Sequence, residues 1–320
     1  MCIRDSCTNS LPIDVDGLPD KLSMTGLYAD IESGTVASTV GVFEPRFVLW
    51  SDGADKTRWV YLPECDGVID TSDMNDWSLP VGTRLWKEFR VGGERIETRL
   101  IERVGPGAFD FLYGSYVWDA DGGDATLALD GVVDAKGTTH DVPSENACRR
   151  CHGSHEKGGG RRSRALALSA YQLSGSAGEV TLDSLADDGR LSALPPAGGY
   201  PAVGADATEQ AALGALHANC GNCHHGGPDG VPQVDMNLWI DVEMTDPAMT
   251  GAFLTAVGVP NQIFAAPAIT ARVEPGDAGA SSVWFRMGQR GNNAQMPPVG
   301  SEIVDAAGLG AVQTWIEGLP

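Results

Sequence analysis

The sequence predicts an α+β protein of more than one domain, in which an N-terminal antiparallel β-sandwich-like domain precedes an all-α region. Two observations support this prediction. Up to residue 141, runs of β-branched and aromatic residues alternate with turns rich in Gly and Asp. Beyond Val142 and Pro143, apolar residues recur at spacings of three and four, as on helices. The predicted segments are a disordered or artefactual N-terminus (1–17), a β-rich domain (18–141) and two helical segments (142–200 and 201–320).

Turn signals separate the runs of the β-rich part. Gly92 and Gly93 suit a two-residue hairpin that needs positive φ. The stretch 119–124, DADGGD, has the acidic spacing of a calcium loop but lacks the downstream Glu, which favours a plain hairpin turn. The predicted strands are 46–50, 56–62, 83–91, 94–104, 109–118 and 125–129.

Capping residues mark the helices of the second half. Ser144 predicts the start of one helix, Thr208 the start of another, and Asp305 the start of a closing helix. The stretch 194–199, LPPAGG, predicts a linker. The helix after Thr208 and the closing helix are inferred from apolar residues and cysteines that recur at helical spacing: Leu213, Leu216, Cys220 and Cys223, and Leu309, Val312, Ile316 and Leu319.

Composition excludes some classes of function. The 320 residues carry a formal net charge of −21, so the phosphates of a nucleic acid would be repelled along most of the surface. The acidity serves solubility or docking to a basic partner. No run of about 18 apolar residues occurs, which predicts no transmembrane segment. Residues 1–6, MCIRDS, look like a translated sequencing adapter, so we expect the natural start, with any signal peptide, to be missing.

The cysteines are the strongest functional signal. Of seven, four form two C-x-x-C pairs, and a histidine directly follows each pair, in CRRCH at 148–152 and CGNCH at 220–224. With 6 histidines in the chain, both pairs gain one by chance roughly once in 2,800 sequences, and C-x-x-C-H is the attachment signature of haem c. We therefore predict two covalently attached haems.

The spacing has a chemical reason. Two thiols three residues apart on a helix can each add to one vinyl group of the same haem, and the next residue directs its imidazole at the iron. The predicted attachment residues are Cys148, Cys151, Cys220 and Cys223, with His152 and His224 as iron ligands. A zinc site of four cysteines leaves both histidines unexplained, and a thioredoxin-like dithiol needs a βαβ pattern that is missing around either pair.

The sixth ligands differ between the two haems. Met296 precedes two prolines in a stiff loop after CGNCH, which predicts a thioether ligand opposite His224 and a raised potential. For the first haem the ligand stays open, and an open sixth position is a further alternative. Arg149 and Arg150 either neutralise haem propionates or are solvated. His155 is too close to His152 in sequence to reach the opposite face of the iron easily, so the candidate ligands are His140, His217, His225, Met236, Met244 and Met249.

Cys7 and Cys65 remain. Haem c is attached outside the cytoplasm, where disulfides persist, so a Cys7–Cys65 bridge is one interpretation and a lipid-bearing Cys7 is another.

From about Leu18 onwards the sequence resembles a family of bacterial exported dihaem c-type cytochromes of uncharacterised role. CGNCHH, MPPVGSEIVD and TWIEGLP are similar to the class I cytochrome c domain. The resemblance implies export to the periplasm or the extracellular face and a dihaem redox role. It rests on LPDKLSMTGLYAD (18–30), LWSDGADKTRWVYLP (49–63), PVGTRLWKEF (80–89), ETRLIER (97–103), YVWDADGGDATL (116–127) and VPSENACRRCH (142–152).

Two functions follow as hypotheses. The first is a carrier that passes single electrons between redox partners through both haems. The alternative is a dihaem peroxidase-like enzyme with an open sixth position on the CRRCH haem, although such peroxidases lack a large N-terminal β domain. A sensor is disfavoured because no output domain is visible.

Overall fold

A computed structural model describes residues 11–153, 165–225 and 234–320. The described chain forms two compact units. The first consists of the described residues of Met1–Arg46 and Ala54–Gly199, and the second of Phe47–Gly53 with the described residues of Tyr200–Pro320. A short piece of the N-terminal half is therefore part of the second unit.

Antiparallel strands form the centre of the first unit. β5 and β6 make the hairpin predicted at Gly92 and Gly93, which have φ of 59° and 86°, so that prediction is confirmed. In chain order the strands are β1 (Tyr28–Asp30) and β2 (Thr35–Val36), which form a two-stranded ribbon, and β3 (Gly41–Val42), β4 (Asp55–Tyr61), β5 (Arg84–Val91), β6 (Glu94–Arg103), β7 (Phe111–Trp118) and β8 (Ala125–Leu127), which form a six-stranded sheet in that order.

The two faces of the six-stranded sheet differ, because successive side chains of a strand point to opposite sides. One face carries the core, in which Trp59, Trp86 and Tyr116 pack against Leu22 and Leu27 of the N-terminal segment. Residues 11–17 also contact this sheet: the Leu11 amide donates to the Tyr61 hydroxyl at 3.1 Å, and Asp14 pairs with Arg84 at 2.9 Å. The second face carries Arg58, Lys87 and Arg99 beside aromatic residues such as Phe89.

The predicted β-sandwich is wrong. The core face of the sheet is covered by the N-terminal segment, and the other sheet that the structure describes is the ribbon β1–β2. The predicted strand 46–50 shows one cause. Its residues 47–50 belong to the second unit, where the Trp50 amide donates to the Asn219 side chain at 2.7 Å, so they add no strand to a second sheet.

Seven α-helices occur in the described ranges. Ser144 and Asp305 cap α1 and α7 through their side chains as predicted, whereas Asp206, and not Thr208, caps α4. None of these helices is long and apolar enough to cross a membrane. They are α1 (Glu145–His152), α2 (Ala170–Leu173), α3 (Leu182–Asp187), α4 (Ala207–Leu216), α5 (Gly251–Thr255), α6 (Ser282–Met287) and α7 (Ala306–Gly318).

The predicted all-α dihaem cytochrome region is also wrong. The longest of these helices, α7, has 13 residues, and much of the described chain between residues 234 and 305 is irregular. Between residues 257 and 281 the backbone pairs as isolated bridges, Val257 with Val273 and Ala271 with Ser281. Pro260, Pro267 and Pro275 interrupt this stretch, and proline supplies no amide donor to a helix. The haem hypothesis therefore applies to two local sites in a mixed fold.

Candidate functional site

The CRRCH motif lies on α1. The Ser144 hydroxyl accepts from the Ala147 amide at 3.3 Å and begins this helix, and Gly153, with φ of 80°, ends it directly after His152. Cys148 and Cys151 are one turn apart, so their thiols share a face of the helix. Both thiols and the His152 imidazole are half-buried. The three groups thus have the local arrangement that haem attachment requires.

Helix α1 packs against β7. The Tyr113 ring lies 5.8 Å from the His152 ring between centroids, and the Tyr113 hydroxyl donates to the Gly153 carbonyl at 3.4 Å. The Arg149 guanidinium lies 5.3 Å from the same aromatic ring and also pairs with Glu145 within α1. Tyr113 therefore positions the end of the helix that carries His152, while the other arginine of the motif, Arg150, is exposed.

Charged side chains of the sheet lie near the cysteines of α1. His140 Nε2 lies 2.7 Å from Glu97 Oε1, and Glu97 also pairs with Arg99, whose charge interacts with both thiols of α1. Burial would raise the pKa of the Glu97 carboxyl, but Arg99 and His140 outweigh it and lower that pKa. Burial raises the pKa of the Cys148 thiol, although Arg99 opposes the shift.

The CGNCH motif follows α4. A π-helical turn, His217–Gly221, extends that helix and carries Cys220, and such turns occur frequently at functional sites. The amides of Cys223 and His224 donate to the Cys220 carbonyl at 3.0 and 2.8 Å. Burial and the neighbouring Cys223 raise the pKa of the Cys220 thiol to about 12.

Backbone contacts hold this motif against the segment that begins at residue 234. The His224 carbonyl accepts from the Leu238 amide at 2.7 Å, and the His224 side chain is buried. A Cβ atom on Gly221 would lie 3.0 Å from the Leu238 carbonyl oxygen, so glycine permits this close approach. His224 therefore has a defined backbone position.

The loop of Met296 is attached to α6 and to the N-terminal half. The Met296 amide donates to the Arg286 carbonyl at 3.0 Å, and Arg286 Nε donates to the Ala294 carbonyl at 2.9 Å. Where the loop ends, the Asp52 carboxylate accepts from the amides of Glu302 and Ile303 at 2.9 and 2.8 Å. The Met296 side chain is half-buried. These contacts give the loop the fixed course that a thioether ligand needs.

One observation on α6 fits a bound acidic group. The Trp284 indole N–H is buried and has no hydrogen-bond acceptor within the described chain. A buried donor without an acceptor is costly, and haem carries two propionates that can accept. Cys220, Cys223 and His224 thus offer the donor types that haem c attachment uses, and Trp284 offers a buried donor that a carboxylate could satisfy.

The candidates for the sixth ligand of the first haem fall into different places. His140 is the one candidate in the described part of the first unit, and its Nε2 is engaged with Glu97. His217, in the second unit, accepts the Ile240 amide at Nδ1 and lies 4.4 Å from the Trp239 ring. His225 forms an isolated bridge with Asn237. Met236 and Met244 are half-buried, Met249 is exposed, and His155 lies outside the described residues.

The cysteines outside the motifs are partly defined. Cys65 is disulfide-bonded, whereas the four motif cysteines are free thiols. The predicted partner, Cys7, lies outside the described residues, so that pairing stays a prediction.

The sequence did not identify several residues that lie around the first motif. Arg99 and Tyr113 lie on β6 and β7, far from CRRCH in sequence. A signal was present in β5, where Lys87 interrupts an otherwise apolar alternation of Leu85 and Phe89. A cation at an inward position of a strand marks a face that receives something charged or polar.

Neither a cluster of metal-binding side chains in the described residues nor a comparison with known proteins identifies a function. Among the described residues, no group of three or more His, Cys, Asp or Glu side chains converges on a point that could hold a metal ion. Comparison with protein-family models, with curated proteins and with solved structures finds no match.

Proposed function

We propose that this chain is an exported dihaem c-type cytochrome that transfers single electrons between redox partners. The observation that carries the proposal is the repeated C-x-x-C-H motif, with a histidine directly after both cysteine pairs. The local backbone supports it, because Cys148, Cys151 and His152 lie on one short helix, and the amides of Cys223 and His224 both donate to the Cys220 carbonyl.

The residues of the chain have separate tasks in this proposal. Each thiol would add its S–H bond across a vinyl group, which would form a thioether and need no net oxidant. His152 would hold the first iron and His224 the second through their imidazoles, and Met296 would hold the second iron through its sulfur. A bound haem supplies a reversible one-electron change at iron, and a histidine–methionine pair favours the reduced form.

Export agrees with two features. Haem c attachment and the disulfide of Cys65 both belong to oxidising compartments. The net charge of −21 favours encounters with a basic redox partner, and such attraction weakens as salt rises.

The test is expression in a host that attaches haem c, followed by pyridine haemochrome assay, intact mass and spectroelectrochemical titration. We expect two covalent haems per chain and two midpoint potentials. A protein without covalent haem would overturn the proposal. Reaction of the reduced protein with carbon monoxide, or turnover of peroxide, would instead indicate an open iron and a peroxidase-like enzyme.

The ligand of the second haem has its own test. Met296→Ala should remove the sulfur-to-iron absorption band and lower one potential, because alanine offers the iron no thioether. Met24→Ala is the matched control, since Met24 is 67% exposed and is not a candidate ligand of either haem. An unchanged spectrum in Met296→Ala would show that another group binds this iron.

A further inference from the structure

The face of the six-stranded sheet opposite its core carries a row of cations. Arg58 on β4, Lys87 on β5 and Arg99 on β6 occupy directly opposite positions, and Ser115 on β7 continues the row. Neighbouring strands lie about 4.8 Å apart, so Arg58 and Arg99 are separated by about 10 Å across the sheet. Three like charges in adjacent positions repel one another, and a row of this kind needs a compensating anion.

The anions that the described chain offers do not balance this row. Glu97 pairs with Arg99 and His140 at the Arg99 end. Arg58 and Lys87 have no hydrogen-bond or ion-pair partner within the described ranges, and the carboxylate that acts on Arg58 is the exposed Glu44. Arg58 is nevertheless only 5% exposed. A largely buried guanidinium is costly unless water or a ligand supplies an acceptor at its remaining exposed edge.

The electrostatics agree with this arrangement. Burial, and then Arg58, Arg99 and Lys56, lower the pKa of the Lys87 ammonium well below its usual value, although Glu97 opposes the shift. Burial lowers the pKa of Arg58 to about 10. Lys87 Nζ and the Arg99 guanidinium both lie over the Phe89 ring, at 4.7 and 4.1 Å from its centroid, so this ring fixes their spacing.

The three cations of the row lie at increasing distances from the CRRCH motif. Helix α1 packs on β7, and Arg99, on the next strand, interacts with both Cys148 and Cys151. Lys87 and Arg58 lie one and two strands further from the thiols. In a haem, the two carbons that bond to cysteine and the two propionates occupy opposite edges of the ring. The end of the row that lacks anions is thus the end distant from the thiols.

We propose that Arg58 and Lys87 bind the propionate carboxylates of the haem attached to Cys148 and Cys151. This inference rests on the proposed haem attachment. The shared ligand chemistry is a carboxylate or similar oxyanion, and covalent attachment supplies it at high local concentration. The sheet would then form one wall of the first haem site and set its potential through the two cations.

The test compares Arg58→Gln and Lys87→Gln with Lys21→Gln in the dihaem protein. Lys21 is a matched control because it lies outside the row and contacts Asp119 and Thr126. Removing a cation from a propionate favours the oxidised iron. Either row variant should therefore shift one oxidised-to-reduced equilibrium about tenfold, a potential lower by about 59 mV, and leave the haem with the sulfur-to-iron band unchanged. Lys21→Gln should change neither haem.

The outcomes separate this inference from the proposed function. Two haems with unchanged potentials in both row variants would overturn the propionate assignment and leave the dihaem cytochrome intact, whereas a haem-free protein would overturn both. A wild-type potential that responds to added phosphate or acetate at constant ionic strength, with the response lost in Lys87→Gln, would assign the row to a free anion instead. If Arg58→Gln does not fold, Lys87→Gln carries the test, and Arg58→Lys should keep the wild-type potential.

Discussion

The two C-x-x-C-H motifs share a chemistry and differ in their surroundings. CRRCH lies on a short helix against a β-sheet, among the side chains of Tyr113 and Arg99. CGNCH follows a helix through a π-helical turn and is held by backbone contacts to the chain around Leu238. The surroundings of the first motif are thus charged and aromatic side chains, and those of the second are backbone contacts. The properties of the same five-residue motif can therefore be set by different surroundings.

The sharpest way to separate the two sites is to remove one attachment pair at a time. In the proposed dihaem protein, Cys148→Ala with Cys151→Ala should lose one haem and keep the sulfur-to-iron band, because Met296 is the proposed ligand of the other haem. Cys220→Ala with Cys223→Ala should also lose one haem, but with it the band. Haemochrome assay and absorption spectra measure both results. Retention of the band in the second variant would contradict the assignment of Met296.

The charged side chains of the first site predict a sizeable effect on stability. Glu97→Gln should lower the free energy of unfolding by about 3 kcal/mol at neutral pH, because Arg99 loses its buried partner. Glu94→Gln, on the same strand, is the control: Glu94 is 57% exposed in its pair with Lys136, so its loss should cost under about 1 kcal/mol. Urea unfolding of both variants gives the comparison.

The same carboxylate predicts a pH dependence. Because the folded state lowers the pKa of Glu97, its ionised form stabilises the protein above the unfolded pKa of about 4.3 and loses that effect as pH falls through the folded pKa. The difference between wild type and Glu97→Gln should therefore shrink below about pH 4. A difference that grows on acidification would show that Arg99 and His140 do not stabilise the charged form.

The smallest expected effect concerns the start of α1. Ser144→Ala removes the acceptor of the Ala147 amide and should cost about 1 kcal/mol in urea unfolding. Ser72→Ala is a suitable control, since the Ser72 hydroxyl is exposed and makes no hydrogen bond within the described residues. Equal losses in both variants would show that the cap contributes little to the first site.

The local features could be predicted from sequence, and the architecture could not. Turn chemistry identified the hairpin at Gly92 and Gly93, and capping chemistry identified Ser144 and Asp305, because each depends on a few adjacent residues. The sandwich and the all-α region failed, because regular turn spacing does not reveal which segment covers a sheet. Helical spacing likewise does not reveal how soon proline and isolated bridges end a helix.

The site shows the same limit. Sequence spacing identifies the two attachment motifs as candidates, since the chemistry needs residues that are neighbours in the chain. Arg58, Lys87 and Arg99 meet only through strand register, which one sequence does not specify. The interruption of β5 by Lys87 was the one visible sign of that face.

The short segment 47–53 has a consequence for how this protein can be divided. Asp52 receives two amides from the end of the Met296 loop, and the Trp50 indole donates to the Ile303 carbonyl at 2.8 Å. An expression fragment that starts at Tyr200 would contain the CGNCH motif and Met296 but lack the hydrogen bonds that Trp50 and Asp52 make. Domain dissection of the gene must therefore supply residues 47–53 as a separate peptide or by circular permutation.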